Sequence, residues 1–319
     1  MHWDWMESRG CFLSVPLLEN RIDELINKVT QHFSWRSDLP MNAEITINKV
    51  TVRDYLTKSS LPASDYVINP YIGCPHGCQY CYAGFMKRFT GHQEKWGTFI
   101  DVKECDNPVS LKKLQGKTVM LSSVTDCYNP FEEKYAVTRK ILEQLVHADC
   151  NVIISTKSKL ITRDIDLLQK MPHVKAALSI NTLHEKFRAD MDNGSTIAER
   201  IEALKALHAA GIYTVLFMSP IFPYLTQYAE IIDMTKEFTC EYWFENLNLR
   251  GGYKKTILEY INTNYPALYE KYREIYVEKN GVYWKGLEES LADYAAGSGV
   301  KFINYFYHEK LVEEKKKKG

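Results

Sequence analysis

Short runs of β-branched residues alternate with segments of helical periodicity from about residue 66 onward. This alternation is typical of a parallel β-sheet whose strands are joined by crossover helices. The sequence therefore predicts an α/β fold. Six segments are predicted as strands, followed by a seventh candidate: Tyr66 to Ile72, Thr118 to Ser122, Asn151 to Thr156, Val174 to Ile180, Ile212 to Ser219, Glu241 to Leu247 and, as the seventh, Val300 to Phe306.

Two of the intervening helices carry start signals. Asn129-Pro130 is predicted to open a helix that reaches His147, because proline favours the first helical position. Thr196 and Glu199 match a capping box, in which each side chain binds the backbone N–H of the other residue. The apolar residues of this second helix recur on one face, so this face is expected to pack on the sheet.

Composition limits the classes of partner. The 319 residues suffice for one large α/β domain or two small ones, and 45% of them are hydrophobic. Lysine plus arginine number 40, as do aspartate plus glutamate, so nucleic acid is a possible partner that the charge does not support. The sequence shows neither a long apolar run nor a secretory signal, so we expect a cytoplasmic protein without a membrane partner.

Three regions are predicted along the chain. Residues 1–65 are interpreted as an N-terminal extension with a helix near residues 17–29, and residues 66–250 as the core. Residues 251–319 are interpreted as a helical, aromatic-rich C-terminal region that ends in a lysine-rich tail. Tails of this kind are usually solvated.

Three of the eight cysteines, Cys74, Cys78 and Cys81, are spaced C-x3-C-x2-C directly after the first predicted strand. Active sites of barrel enzymes lie at the C-terminal ends of strands. Thiolates are the ligands of iron–sulfur clusters, and three of them leave one iron of a [4Fe-4S] cubane open for a substrate or cofactor. The alternative is a structural zinc site with His76 as fourth ligand, although zinc usually binds paired C-x2-C elements.

This spacing, with Tyr80 before the last cysteine, resembles the radical S-adenosylmethionine (SAM) superfamily. The resemblance covers about residues 60–240 and implies a partial (β/α)6 TIM-like barrel with N-terminal and C-terminal extensions. It also implies a [4Fe-4S] cluster held by the three cysteines, SAM, and a flavodoxin or ferredoxin as electron donor. Four later motifs fall at successive strand ends in an order similar to that of spore photoproduct lyase and its uncharacterised relatives: Ser122-Ser123-Val124-Thr125-Asp126, Ser155-Thr156-Lys157, Ser179-Ile180-Asn181 and Met218-Ser219-Pro220-Ile221.

The resemblance also implies an activity. An electron that enters through the cluster cleaves SAM to a 5′-deoxyadenosyl radical, which abstracts hydrogen from a substrate C–H bond. Tyr80 would lie against the adenosine, while Thr125, Lys157 and Ser179 match polar positions that hold SAM. A lysine suits a carboxylate, and hydroxyls suit ribose or amino groups. Tyr82, beside the cluster loop, is a candidate catalytic residue.

The sequence departs from the lyase pattern at one position. In the lyase a cysteine of the second motif returns a hydrogen atom to the product radical, whereas Ser123 stands here. A hydroxyl O–H bond is too strong for that role, so repair of a DNA photoproduct is in doubt. Cys127 is the nearest replacement and is interpreted either as the hydrogen donor or as a small buried apolar residue.

The last predicted core strand is expected to present polar residues near the barrel mouth. Glu245, Asn246 and Arg250 are candidate substrate-binding residues, since arginine can bind a carboxylate or phosphate with two hydrogen bonds. A Glu–Arg pair within the protein is the alternative. The expected function is a radical SAM enzyme acting on a peptide or protein, a small metabolite or a nucleic acid. The alternatives are lesion repair like that of the lyase and a non-catalytic iron–sulfur binding protein.

Overall fold

The computed structural model describes residues 45–306. Strands and helices alternate along most of this range, as the sequence predicts. Its strands are β1 (Thr46–Thr51), β2 (Leu56–Lys58), β3 (Tyr66–Ile68), β4 (Tyr71–Ile72), β5 (Phe99–Glu104), β6 (Lys117–Leu121), β7 (Cys150–Thr156), β8 (Val174–Ser179), β9 (Tyr213–Ile221), β10 (Glu241–Asn246) and β11 (Phe302–Asn304).

The helices lie mainly between the parallel strands and after β10. The α-helices span Leu111–Leu114, Glu132–Tyr135, Val137–Leu145, Ile165–Leu168, Glu185–Met191, Ile197–Ala209, Tyr228–Thr235, Gly251–Asn264, Tyr269–Tyr276 and Val282–Ser298. Short 3-10 helices span Tyr82–Phe89, Lys159–Asp164, Lys236–Phe238 and Pro266–Leu268.

An eight-stranded sheet forms the core, in the order β11-β10-β9-β8-β7-β6-β3-β2. Its strands run parallel except β2, which pairs antiparallel with β3. Residues 61–63, beside β2, and Tyr305, beside β11, line the same cavity, so the sheet curls until both edges face one interior. The chain therefore folds as a partial TIM-like barrel, and the predicted fold class and seventh strand are confirmed.

Alternate side chains of the strands point into and out of the barrel. Ile153, Ala177, Val215 and Trp243 form a small buried cluster inside the barrel, with Tyr305 beside them. Their sequence neighbours belong to the main hydrophobic core between the sheet and the helices. Because both faces are covered, the strands are apolar nearly throughout, as expected of a parallel sheet.

The helix Ile197–Ala209 begins at the predicted capping box. The Thr196 hydroxyl accepts a hydrogen bond from the Glu199 N–H at 3.3 Å, and Glu199 Oε2 accepts from the Thr196 N–H at 2.9 Å. Ile197, Ile201 and Leu204 of the predicted face are buried. This helix therefore packs on the sheet as its periodicity predicts.

The first predicted strand is divided into two. Residues 66–68 join the large sheet as β3, whereas Tyr71–Ile72 pair antiparallel with β5 in a second sheet ordered β1-β5-β4. Pro70 cannot donate a ladder hydrogen bond, and the Asn69 side chain instead accepts from the N–H of Ser123 at 2.9 Å. The chain therefore leaves the barrel wall before the cysteines. The sequence patterns also missed β5.

The predicted helix over residues 129–147 is likewise divided, between Tyr135 and Val137. Ala136 adopts a left-handed conformation with φ 50°. The buried Glu132 carboxylate accepts hydrogen bonds from the N–H groups of Thr138 and Arg139 at 2.9 and 3.2 Å, so it caps the second segment. A tertiary contact of one side chain therefore replaces the continuous helical ladder.

Two predicted features, the helix near residues 17–29 and the lysine-rich tail, lie outside the described residues. The boundaries of the three predicted regions stay a prediction, although β1 and β2 bring residues before 66 into both sheets. None of the helices in residues 45–306 has the length and apolar character needed to cross a lipid bilayer.

His92 joins the loop after the 3-10 helix Tyr82–Phe89 to the smaller sheet. Its Nδ1 lies 2.9 Å from Glu94 Oε2, and its Nε2 lies 2.8 Å from Asp101 Oδ1 on β5. The imidazole also stacks on Phe99, with 3.8 Å between ring centroids. Burial by itself lowers the pKa of His92, but the two carboxylates outweigh it and raise this pKa above its ordinary value.

We expect this contact to stabilise the protein less as the pH rises. Since the pKa of His92 is raised on folding, its contribution is complete below the unfolded pKa of about 6.5 and is lost as the pH passes through the folded pKa. The free energy of urea unfolding of wild type should therefore exceed that of His92→Gln by a larger margin at about pH 6 than at about pH 9. His147→Gln is the control, because His147 is exposed. A difference in unfolding free energy between wild type and His92→Gln that is the same at both pH values would contradict this expectation.

Candidate active site

The loop that carries the three cysteines follows β4 and depends on glycine at two close approaches. Gly73 has φ +83°, and a Cβ at this position would lie 2.4 Å from the carbonyl oxygen of Phe99. Gly97 has φ +100°, and a Cβ there would lie 2.9 Å from the Cα of Gly77. Only glycine fits both positions, so the loop packs backbone against backbone.

The cysteines of this loop form no disulfide within the described residues, are partly buried, and all three line one cavity. Burial raises the pKa of the Cys74 thiol well above its ordinary value, and it raises that of Cys78 to about 12. Burial also raises the pKa of Cys81. Thiolates here therefore need a compensating positive charge, which iron ions of a cluster supply on binding. The donor set fits a cluster with three cysteine ligands.

His76 lies beside a carboxylate in the wall of this cavity. It is 2% exposed, and its Nδ1 lies 3.2 Å from Asp126 Oδ2. Within residues 45–306, no three side chains of His, Cys, Asp or Glu converge closely enough to hold a single metal ion. A [4Fe-4S] cluster does not demand such convergence, because its thiolates bind three different irons.

Asp126 is a buried carboxylate at the end of the Ser122-Ser123-Val124-Thr125-Asp126 motif. The motif itself did not indicate its role. Its Oδ1 accepts hydrogen bonds from the Tyr128 N–H at 2.9 Å and the Thr156 hydroxyl at 2.7 Å, and its Oδ2 accepts from the Lys157 N–H at 2.8 Å. Burial would raise the pKa of Asp126, but these donors and His76 hold it at about 2. Asp126 therefore ties the cysteine loop to the ends of β6 and β7.

Lys157 projects from the end of β7 toward the cysteines. Its Nζ lies 5.8 Å from the centre of the Tyr80 ring. Burial would lower the pKa of Lys157, but the charges of Cys78 and Asp192 outweigh burial and raise it. The side chain is therefore an ammonium ion beside the cavity, suited to binding an anionic group.

A second buried carboxylate, Asp192, lies behind Tyr80. Asp192 Oδ1 accepts hydrogen bonds from Arg200 Nη2 at 2.5 Å and from the Gly194 N–H at 2.9 Å, and its Oδ2 accepts from the Tyr80 hydroxyl at 3.3 Å. Arg200, 1% exposed, also donates to the carbonyl oxygen of Ser179 at 3.0 Å. This ion pair therefore fixes Tyr80 and the end of β8 relative to each other. The sequence patterns did not predict this ion pair.

The remaining predicted cofactor residues also line the cavity. The Thr125 hydroxyl donates to the carbonyl oxygen of Gly73 at 2.6 Å, so it holds the cysteine loop as well. Ser179 is 3% exposed at the end of β8. Tyr82 is half-exposed at the cavity, and its hydroxyl donates to the carbonyl oxygen of Ser123.

The cavity measures about 390 Å³, and its far wall comes from the C-terminal strands. Glu245, Asn246 and Arg250 line it, as the sequence predicts. Glu245 Oε2 accepts a hydrogen bond from the Ser219 hydroxyl, and the Arg250 Nε donates to Asn248 Oδ1 at 2.9 Å. The three predicted substrate residues are thus brought together with the cysteines.

Cys127 is placed differently from the other candidates. It is fully buried in the main hydrophobic core and is not among the residues that line the cavity. Burial and the nearby Asp126 charge raise the pKa of its thiol well above the ordinary value. This position favours the interpretation of Cys127 as a small buried residue.

Tyr305, after β11, is a cavity residue that sequence analysis did not single out. It is 8% exposed, and its ring lies edge-on to Trp243 and Phe217 with centroids 5.9 and 6.3 Å away. Its hydroxyl is buried without a hydrogen-bond partner in the described part of the chain. The seventh strand was the only sequence signal near it.

We expect the cysteine loop to tolerate no side chain at Gly73. Gly73→Ala should lower the free energy of urea unfolding by about 1–3 kcal/mol more than Gly116→Ala, because the added methyl group meets the Phe99 carbonyl. Gly116 is a matched control, since it also has positive φ but open space around its Cβ position. Equal losses in the two variants would show that the close approach is unimportant.

Comparison with known proteins identifies the family. A family model described as the Radical SAM superfamily matches residues 68–237. An uncharacterized protein of Methanocaldococcus jannaschii is 38% identical over 232 residues, which cover 72% of this chain and 88% of that protein. The radical SAM Nalpha-GlyT isomerase of Pseudomonas phage M6 is 25% identical over 210 residues, which cover 63% of this chain and 41% of the isomerase.

A solved structure supports the fold. A spore photoproduct lyase variant with bound AdoMet and dinucleoside spore photoproduct is similar with a TM-score of 0.53 and 18% identity, over 76% of this chain and 78% of the lyase. At this identity the likeness concerns the fold alone. Members of the matched superfamily are enzymes that use a [4Fe-4S] cluster and SAM and need an electron donor. The family model matches more than half of the chain, so this chain belongs to the radical SAM superfamily.

Proposed function

We propose that Cys74, Cys78 and Cys81 hold a [4Fe-4S] cluster and that the adjoining cavity binds SAM and an organic substrate. One observation carries the proposal. A single cavity of about 390 Å³ is lined on one side by the three thiols and on the other by polar and aromatic side chains of the C-terminal strands. When bound, the cluster and SAM supply the reductive formation of a 5′-deoxyadenosyl radical, which abstracts a hydrogen atom from the substrate.

The residues between the thiols and the strand ends would bind and orient SAM. Lys157, kept as an ammonium ion by the surrounding negative charges, would bind the carboxylate of SAM. Tyr80 would support the adenosine, since its ring is fixed by Asp192 and by an edge contact with Phe222 at 5.4 Å. The hydroxyls of Thr125 and Ser179 would complete the polar contacts from the ends of β6 and β8.

The far wall would bind the substrate. Glu245 offers a carboxylate acceptor, Asn246 an amide, and Arg250 a guanidinium near the cavity mouth. The buried Tyr305 hydroxyl, which lacks a protein partner among the described residues, would donate to a substrate acceptor. We therefore infer that the substrate is a polar organic molecule or group that both donates and accepts hydrogen bonds. Peptides, metabolites and nucleic-acid groups all satisfy this description.

The fate of the substrate radical depends on which side chain meets it. Tyr82 lies at the cavity and is our candidate for a catalytic residue, because a phenol can exchange a hydrogen atom with a carbon radical. Cys127 would need access from the main core to play this part. Repair of a DNA photoproduct in the manner of the lyase has no support in the cavity, since Ser123 offers no thiol.

The proposal is tested by anaerobic reconstitution with iron and sulfide, followed by dithionite and SAM. We expect an EPR signal of a reduced [4Fe-4S] cluster that changes when SAM is added, together with 5′-deoxyadenosine detected by chromatography. Both signals should be lost in Cys78→Ala and kept in Cys105→Ala, because Cys105 lies outside the cavity.

Other outcomes of this experiment would favour a different function or overturn the proposed one. A cluster that assembles but does not respond to SAM would favour a non-catalytic iron–sulfur protein. Failure of wild type to assemble four irons would overturn the proposal. Reduction by a flavodoxin or ferredoxin in place of dithionite tests the proposed class of electron donor in the same assay.

Removal of the Lys157 ammonium should weaken SAM binding while leaving the fold intact. Hydrogen bonds to charged groups contribute about 1.5–3 kcal/mol, so we expect the dissociation constant of SAM to rise roughly tenfold to a hundredfold in Lys157→Met. Lys159→Met is the control, since Lys159 is exposed and pairs with Glu199 at 2.6 Å. Calorimetric titration of each reconstituted variant with SAM measures the two dissociation constants. Equal affinity in the two variants would contradict the role of Lys157.

A further inference from the structure

Glu245 lies near the carboxyl end of β10 and lines the cavity. Its side chain is half-buried, and its Oε2 accepts a hydrogen bond from the Ser219 hydroxyl. Within residues 45–306, no lysine, arginine or histidine nitrogen lies within 4.0 Å of this carboxylate. The carboxylate therefore has one neutral donor among the described residues, and its Oε1 is left for a ligand.

The other charged side chains that line the cavity have partners of their own. Asp126 lies 3.2 Å from His76, and the Lys157 ammonium lies beside the cysteines. The Arg250 Nε donates to Asn248 Oδ1 at 2.9 Å. None of these groups forms an ion pair with the carboxylate described above, so a ligand can supply the missing countercharge.

Three aromatic rings lie one inward-facing position below this carboxylate on the strands. Phe217 and Trp243 are paired across β9 and β10, and Ser219 and Glu245 follow two residues later on the same strands. Tyr305 completes the group, which we call the aromatic floor, and the ring centroids lie 5.5, 5.9 and 6.3 Å apart. All three rings line the cavity. Because ring faces attract cations, the floor adds to the preference for positive charge.

The hydroxyl of Tyr305 is a second group that awaits a ligand. Tyr305 is 8% exposed and lines the cavity, and its hydroxyl has no hydrogen-bond partner in residues 45–306. Burial and the charges of Glu241 and Glu245 raise its pKa, so the hydroxyl stays neutral. A neutral hydroxyl both donates and accepts hydrogen bonds, and a buried one without a partner is rare. A ligand in this part of the cavity can therefore satisfy both the hydroxyl and the carboxylate.

The hydrogen bond from Ser219 indicates which kind of cation fits. A guanidinium pairs best with a carboxylate through two parallel hydrogen bonds, one to each oxygen. Ser219 already occupies Oε2, which leaves Oε1 for a single N–H donor. An ammonium ion binds as a compact point charge and needs no second oxygen. The geometry therefore favours an ammonium ion over a guanidinium.

We propose that the substrate carries a protonated amine, which donates a hydrogen bond to Glu245 and lies against the aromatic floor. This inference rests on the proposed function and names the class of substrate that the cavity selects. Substrate binding displaces water from the carboxylate, and a buried charge without a partner of opposite sign is costly. An ammonium ion removes this cost, whereas an alcohol of the same shape leaves the charge uncompensated. Glu245 is therefore a specificity-determining residue.

The test is a ligand-observed NMR titration of reconstituted protein with SAM bound, at about pH 7, where an alkylamine is protonated. Benzylammonium and benzyl alcohol are matched probes that differ mainly in charge. Wild type should bind benzylammonium roughly tenfold more tightly, because hydrogen bonds between charged groups are about twice as strong as neutral ones. This preference should disappear in Glu245→Gln, which keeps the shape but not the charge. Glu289→Gln should retain it, since Glu289 is exposed in the helix Val282–Ser298 and outside the cavity.

A free amine and the N-terminal ammonium of a peptide share this chemistry, so triglycine and N-acetyltriglycine form a second pair of probes. A preference in the first pair alone supports a small amine, and a preference for triglycine over its acetylated form supports a peptide. No preference in either pair, or one that persists in Glu245→Gln, would overturn the inference and leave the proposed function intact. Wild type that holds neither a cluster nor SAM would instead contradict the proposed function.

Discussion

The buried carboxylate of Asp126 is the contact on which the active-site end of the barrel depends. It joins the cysteine loop, through His76, to the ends of β6 and β7, through Tyr128, Thr156 and Lys157. A buried charge without partners would be strongly disfavoured, so these contacts must form together. The loop and the two strand ends are therefore held together as one unit.

The charges around the cysteines follow from this arrangement. Asp192 and Arg200 form an ion pair behind Tyr80, and Lys157 is a cation that lies close to the thiols. A cluster with cysteine thiolates brings negative charge to the same place. The site therefore has a cation ready both to balance that charge and to bind an anionic group of a cofactor.

The side chains inside the barrel form successive layers along the strands. At the closed end, Lys175 pairs with Glu241 at 2.5 Å, and Glu241 also accepts from the Trp243 indole at 3.0 Å. Apolar side chains fill the middle layer, and serines with Glu245 line the open end. Because alternate residues of each strand face inward, a polar strand end adds to the cavity without interrupting the apolar core.

The sequence by itself determined the α/β class, the strands β6 to β11 of the large sheet, the capping box at Thr196 and the motif of three cysteines. These features depend on neighbouring residues, namely periodicity, caps and motifs at strand ends. Only the tertiary structure decided the turn at Pro70, the break at Ala136 and the burial of Cys127 in the core. It also brought Tyr305 to the cavity, because the curl of the sheet sets which distant residues meet.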